Sequence, residues 1–275
     1  MDSACNQLAE TQSRELVNRL SLQGRVSPAV DEKHVNLLAS DSRSACLSVR
    51  EGYDRWAHIY DVTPNPVLAL EERHLTNLLP DLVGQNILDL ACGTGRWLPR
   101  LLARGARRVI GIDLSAAMLR VAGAKAGIRE RLLLADCEQL PFPDATFDFA
   151  LCSFALNHIH DLDIAARELA RTLKGRGRLL ITEMHPDAYA QGWRPGFRDE
   201  RSAVQIASVS RSAQRVISSF RANRFLRPDA HDLHFGEPER PIFLQAGKGE
   251  FFEDACRLPA VKVYEFRSVD SASQH

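Results

Sequence analysis

Three acids close three short apolar runs. Asp89 stands in Leu88-Asp89-Leu90-Ala91-Cys92-Gly93-Thr94-Gly95-Arg96, Asp113 ends Arg108 to Ile112, and Asp136 follows Leu132-Leu133-Leu134. Glycines at 93 and 95 let the backbone bend sharply and approach a ligand where side-chain bulk would block it. A carboxylate after the second run can accept both hydroxyls of a ribose. One after the third can accept from the exocyclic amine of an adenine. Singly each acid is an ordinary polar strand end; together they are a constellation for a nucleoside-bearing ligand.

Two common nucleotide fingerprints are excluded. A nicotinamide-dinucleotide site needs a third glycine after Gly93 and Gly95, and Leu98 stands there. A phosphate-cradling Walker loop needs Gly-Lys-Ser/Thr, and none follows. Groups able to move a proton come further along: His158 and His160 after a fourth apolar run, Glu183 and His185 after a fifth. No histidine or cysteine spacing suggests a metal site.

These residues need elements to position them. Ile87–Leu90, Arg108–Ile112, Leu132–Leu134, Phe147–Ser153 and Gly177–Thr182 read as strands. Helices are expected from the glycine turn through Leu102, over Ser115–Ala126 and over Asp161–Leu173, with two more ahead at Ser48–Tyr60 and Val67–Leu79. Nearly continuous apolar strands alternating with helices predict an α/β fold, a doubly wound, mostly parallel seven-stranded sheet covered on both faces. Phe225–His234 would supply a sixth strand and Ala260–Phe266 an antiparallel terminal edge strand. Residues 1–45, with a short helix over Leu8–Leu20, are expected to form a peripheral arm or lid. Residues 46–267 form the domain, and 268–275 a tail. Within the domain, 187–235 is the substrate-side segment, beginning as a long polar connection to about residue 210.

Composition limits the partners. Of 275 residues, 35 are Lys or Arg and 35 are Asp or Glu, a formal charge of zero that argues against bulk nucleic acid or an anionic membrane. The six cysteines, at 5, 46, 92, 137, 152 and 256, contain no C-x-x-C pair and read as reduced thiols. No apolar run is long enough for a signal peptide or membrane span, so the expected compartment is the cytoplasm.

Asp89-Leu-Ala-Cys-Gly-Thr-Gly, Gly111-Ile-Asp113-Leu-Ser115, Ala135-Asp136-Cys-Glu-Gln-Leu-Pro141-Phe and Phe147-Asp148 to His158 occur in the order found in class I S-adenosylmethionine-dependent methyltransferases. The chain resembles that family over residues 50 to 186. It is most similar to the branch of ubiquinone and menaquinone C-methyltransferases and small-molecule methyltransferases. The resemblance implies S-adenosylmethionine as cofactor. Asp89, Ala91, Gly93 and Gly95 would line its methionine part, with Tyr60 near the amino-acid end and Ser153 beside the sulfonium. Asp113 would hold the ribose, Leu114 and Met118 would pack on the adenine, and Asp136 with the Cys137 backbone would read its edge. Ala91 departs from the glycine frequent in the family, which is tolerable if its backbone stays in an ordinary region. His158 and His185 are the candidate bases, should the acceptor need one.

The implied reaction is methyl transfer to a small-molecule acceptor. RNA or protein as acceptor, and a non-catalytic binding protein retaining the fold, remain as alternatives. Tyr189, Trp193 and Phe197 are expected to wall an apolar acceptor. The arginines between 194 and 227 suit either an anionic acceptor or an ordinary solvated surface.

Overall fold

Helices begin where the sequence supplies a cap. Ser48 accepts from the Glu51 N–H and donates to its carboxylate ahead of α1 (Val49–Tyr60). Asn65 accepts from the N–H groups of Val67 and Leu68, and Pro66 follows as the first residue of α2 (Pro66–Leu78). Ser115 and Asp161 do the same for the helices that begin at Ala116 and Leu162. The structure, a computed structural model, describes residues 45–198 and 202–269. The arm ahead of residue 45, with its expected Leu8–Leu20 helix, and the tail beyond 269 lie outside the described residues.

In chain order the remaining elements are β1 (Ala45–Leu47), β2 (Asn86–Leu90), α3 (Leu98–Ala103), β3 (Arg108–Asp113), α4 (Ala116–Gly123), β4 (Leu132–Leu134), β5 (Phe147–Ser153), α5 (Leu162–Thr172), β6 (Leu173–Met184) and α6 (Pro186–Ala190). They continue with β7 (Gly196–Arg198), β8 (Ala203–Ile206), α7 (Ala213–Ala222), β9 (Phe225–His234), α8 (Arg240–Gln245), α9 (Phe252–Cys256) and β10 (Pro259–Ser268). Seven strands form one sheet in the order β4-β3-β2-β5-β6-β10-β9. All neighbouring pairs from β4 to β6 run parallel, and β10 is antiparallel to both β6 and β9. Alternate side chains feed two cores. Ile87, Val109, Leu151 and Val263 pack with α2 and α3 on one face; Leu88, Ile110, Cys152 and Phe266 pack with α5 and α7 on the other.

Two expectations need correction. The terminal strand is antiparallel, as expected, but it is not the edge: β10 is buried between β6 and β9. The edge is β9, whose Pro228 and charged Asp229 and Asp232 suit a strand with one open side. The stretch after Pro186 is not a loose connection either. It folds into α6 and a second, three-stranded sheet in the order β1-β8-β7. Strands of three and four residues carry too little alternation to be read in sequence. This small sheet rests on α1, with Trp56 stacked on Phe197 at 5.3 Å beside Val204 and Ile206. Among the described residues no helix is long and apolar enough to cross a membrane.

A buried polar group ties the antiparallel strand to the parallel ones. Glu183 of β6 accepts from the Tyr264 hydroxyl (2.6 Å) and from Asn157 Nδ2 (3.2 Å). Burial pushes its carboxyl up to about 7 from 4.5. Across that interval the folded state keeps a proton that the unfolded chain has released, so stability falls as pH rises. One such group contributes up to about 1.4 kcal/mol per pH unit. Glu183→Gln should therefore flatten the decline in stability between about pH 5 and 7, measured by urea unfolding at several pH values.

Candidate active site

The turn after β2 builds the site. Ala91, Gly93 and Gly95 all adopt left-handed backbone, with φ of 54°, 55° and 75°. The condition for tolerating alanine at 91 is thus not met: its methyl sits in a region costing an L-residue about 1–2 kcal/mol. Asp113 fastens the turn. Its Oδ2 accepts from the Gly93 N–H and its Oδ1 from the Ser115 N–H, both at 2.8 Å. Of the other four described non-glycine residues in left-handed backbone, Phe154 (φ 53°) stands just after β5 and lines the same cavity. Strain of this kind concentrates where a ligand must be approached closely.

A cavity of about 250 Å³ opens at the carboxyl ends of β2, β3, β4 and β5. Of the residues expected at a cofactor site, Asp89, Ala91, Gly93, Asp113, Leu114, Met118, Asp136, Cys137 and Ser153 line it, with Tyr60 from α1. Gly95 does not. A Cβ there would meet Ile128 at 3.0 Å and Ala122 at 3.2 Å, so this glycine lets α4 pack closely instead. Met118 is both a core residue and a wall, 1% exposed. Asp89 is buried, and desolvation pushes its carboxyl up to about 8 against the opposing pull of Arg96.

Helix α1 roofs the cavity with Val49, Tyr53 and Tyr60 and is pinned at two points. Asp54 accepts from Ser115 Oγ (2.5 Å) and the Ala117 N–H (3.3 Å) at the start of α4. Asp61 accepts from Thr94 Oγ1 (2.6 Å) and pairs with Lys125 (2.7 Å). The far wall is Phe154, Ala155, His158, Ile159 and His160.

His158 is fixed from both sides. Its Nδ1 lies 2.9 Å from the Ala207 carbonyl, which can only accept, so Nδ1 carries the proton. Nε2, 2.9 Å from Tyr53 Oη, then accepts from the tyrosine hydroxyl. Burial holds the imidazole below its ordinary pKa and that of Tyr53 well above its own. Arg211 secures the turn beneath, donating to the carbonyls of Leu156 (3.0 Å) and Ile159 (2.7 Å).

His185 does not reach the cavity. It caps α6 by accepting from the Asp187 N–H (3.1 Å) and approaches Asp232 at 3.3 Å. Nor do Tyr189, Trp193 and Phe197 wall it. All three are buried core, because the segment that carries them folds against the sheet and α1 rather than over the opening. Three arginines of this segment serve structure: Arg194 donates to Tyr189 and Trp193 carbonyls, Arg211 as above, and Arg215 pairs with Asp163. Sequence reading assigned no site role to Tyr53, Thr94 or Arg96, although the last two stand in the glycine motif. For Arg96 the only signal was its place directly after the glycine turn.

The polar groups suit S-adenosylmethionine. Asp89 Oδ2 and Arg96 Nη1 are buried without hydrogen-bond partners. Arg96 is the one lysine or arginine among the described lining residues, against Asp113, Asp136 and Glu138. That imbalance favours a ligand of net positive charge, as a sulfonium with an amino-acid end is.

Known proteins agree with this class. A family model described as a methyltransferase domain matches residues 88–181. The chain is similar to a demethylmenaquinone methyltransferase of Streptomyces avermitilis, 39% identical over 174 residues, covering 61% of this chain and 71% of the relative. It is also similar to a malonyl-[acyl-carrier protein] O-methyltransferase of a Methylovorus species, 32% identical over 169 residues, 58% of this chain and 57% of that one. The chain spans less than two thirds of the length of several such relatives. A solved S-adenosylmethionine-dependent methyltransferase from Mesorhizobium loti shares the fold, with a TM-score of 0.60 at 22% identity over 74% of this chain and 100% of that one. The chain belongs to the class I S-adenosylmethionine-dependent methyltransferases. Within them it lies near the ubiquinone and menaquinone C-methyltransferases.

The strained alanine gives a direct test. Ala91→Gly should raise unfolding stability by about 0.5–1 kcal/mol, the relief of left-handed strain less the added entropy of the unfolded chain. Urea titration of the two proteins measures it.

Proposed function

We propose that the chain transfers the methyl group of S-adenosylmethionine to a small, uncharged, largely apolar acceptor bearing a hydroxyl, of the hydroxylated aromatic type. The observation that carries this reading is the hydrogen-bonded Tyr53–His158 pair on the cavity wall. The cofactor supplies an electrophilic methyl carbon when bound. Asp113 would hold its ribose, Asp136 its adenine edge, and Asp89 its ammonium.

The chain's own residues then orient the acceptor, exclude water and handle one proton. Val49, Phe154 and Ile159 offer an apolar seat beside Tyr53. Methylation of a hydroxyl oxygen requires loss of the hydroxyl proton; methylation of a ring carbon next to one begins with the same loss, and the ring carbon then gives up its own hydrogen as the hydroxyl is restored. The hydroxyl proton passes to Tyr53 Oη as the tyrosine proton passes to His158 Nε2. The resulting imidazolium keeps both contacts, Nε2–H to the tyrosine oxygen and Nδ1–H to Ala207. The depressed imidazole pKa keeps the base free at neutral pH. Quinone-type acceptors of relatives named demethylmenaquinone methyltransferases support this acceptor class.

Calorimetric titration with S-adenosylmethionine and S-adenosylhomocysteine tests the cofactor, with Asp113→Ala expected to abolish measurable binding. A panel of hydroxylated naphthalenes and quinols, assayed for methyl transfer by mass spectrometry beside RNA and protein, tests the acceptor. His158→Gln should lower kcat about 10²–10⁴-fold with cofactor affinity unchanged, and Tyr53→Phe should lower it less. Transfer to RNA alone, or a His158→Gln enzyme of full activity, would refute the respective parts.

A further inference from the structure

One short segment serves His158 without lining the cavity. Residues 207–211 follow β8 and belong to no strand, so their backbone groups need partners elsewhere. Ala207 offers its carbonyl to His158 Nδ1, Val209 donates its N–H to the Asn157 carbonyl (2.8 Å), and Arg211 reaches the carbonyls of Leu156 and Ile159. Every second residue of the segment thus grips the turn Leu156–His158 or the residue after it.

The grip converges on Asn157, 3% exposed and directly ahead of the histidine. Its Nδ2 donates to the Val209 carbonyl (3.1 Å) and to Glu183 Oε2 (3.2 Å), and its Oδ1 accepts from the Met184 N–H (3.3 Å). A carbonyl, a carboxylate and an N–H leave the amide one orientation. Both of its hydrogens and its oxygen are used, so neither a leucine nor an aspartate of similar size can replace it. Glu183 is held in turn by Tyr264 of β10, and Arg211 and Lys262 are the charged groups that act on it. Segment, turn and sheet therefore meet at one side chain.

We propose that Asn157 is a positioning residue for His158: it fastens segment 207–211 to β6 and so holds the Ala207 carbonyl where it selects the Nδ1–H tautomer. Nε2 is thereby left to accept from Tyr53. The consequence for the reaction rests on the reading of His158 as proton acceptor; the tautomer itself does not.

Nitrogen NMR of the whole protein reads both ring nitrogens of His158, identified by the signals that His158→Gln loses. The wild type should show the Nδ1–H tautomer and titrate below the ordinary value of about 6.5. Asn157→Ala should free the segment and give a mixture of tautomers. Burial is the main cause of the low titration midpoint, so water admitted to the site should raise it toward the ordinary value. Asn157→Asp keeps the acceptor for Met184 but sets an oxygen against the Val209 carbonyl. It stands in if the alanine variant does not fold, with the same change expected. Arg73→Gln, which breaks the ion pair with Glu239 away from the cavity, should lower stability and leave the His158 signals as they are. With naphthoquinol as acceptor, Asn157→Ala should lower kcat about 10- to 100-fold with cofactor affinity unchanged.

A wild type in the Nε2–H tautomer would overturn the inference. So would an Asn157→Ala protein with tautomer and midpoint unchanged, or the same shifts in Arg73→Gln, which would make them a mere effect of lost stability. A shifted tautomer with full kcat supports the positioning and overturns the base reading alone.

Discussion

A carboxylate holding a strained turn is the constraint from which the rest of this molecule follows. Three left-handed residues between 91 and 95 give a backbone that would not keep its shape unaided. Asp113 keeps it by accepting from Gly93 on one oxygen and from Ser115 on the other, which also sets the first turn of α4. Ser115 in turn reaches Asp54 in the roof helix. One side chain therefore registers the glycine turn, a helix start and, at one remove, the lid of the cavity. Burial raises its pKa while the backbone donors lower it, and desolvation is the larger effect.

The cavity so framed has two unlike sets of lining residues. One carries the acids and a single guanidinium; the other has a neutral histidine and a tyrosine with apolar side chains. The first set comes from strand ends and the loops that follow them. The second depends on the far half of the chain, because Ala207 sets the tautomer of His158 and Arg211 ties down the turn that bears it. A residue can thus shape proton handling without touching the acceptor.

Local pattern made the first set legible. Asp89 stands one residue before the end of β2, Asp113 ends β3 and Asp136 follows β4 by two residues, so strand ends in sequence were close to strand ends in space. The parallel sheet was legible for the same reason. What escaped reading needed long-range pairing. Tyr53 and His158 lie 105 positions apart, and only the docking of α1 brings them together. Glu71 is a charged residue beside Leu70 in an amphipathic helix, with no local sign that it would be buried against Arg96. Tyr189, Trp193 and Phe197 misled because aromatic residues in a polar stretch suit a binding wall as well as a core. His185 misled because it follows a strand yet turns toward the next helix.

The place of β10 has a consequence for how the protein is made. Strand β9 is synthesised before β10, its sole neighbour in the main sheet. On a ribosome, β9 therefore emerges with nothing to pair with, while β6 still presents an open flank. Both wait for the antiparallel strand, and Glu183 waits for Tyr264. Exposed strand flanks invite pairing with other chains, so the nascent protein passes through an interval of high aggregation risk. Completion of the sheet therefore waits on β10, and until it is seated the flanks of β6 and β9 both stay open.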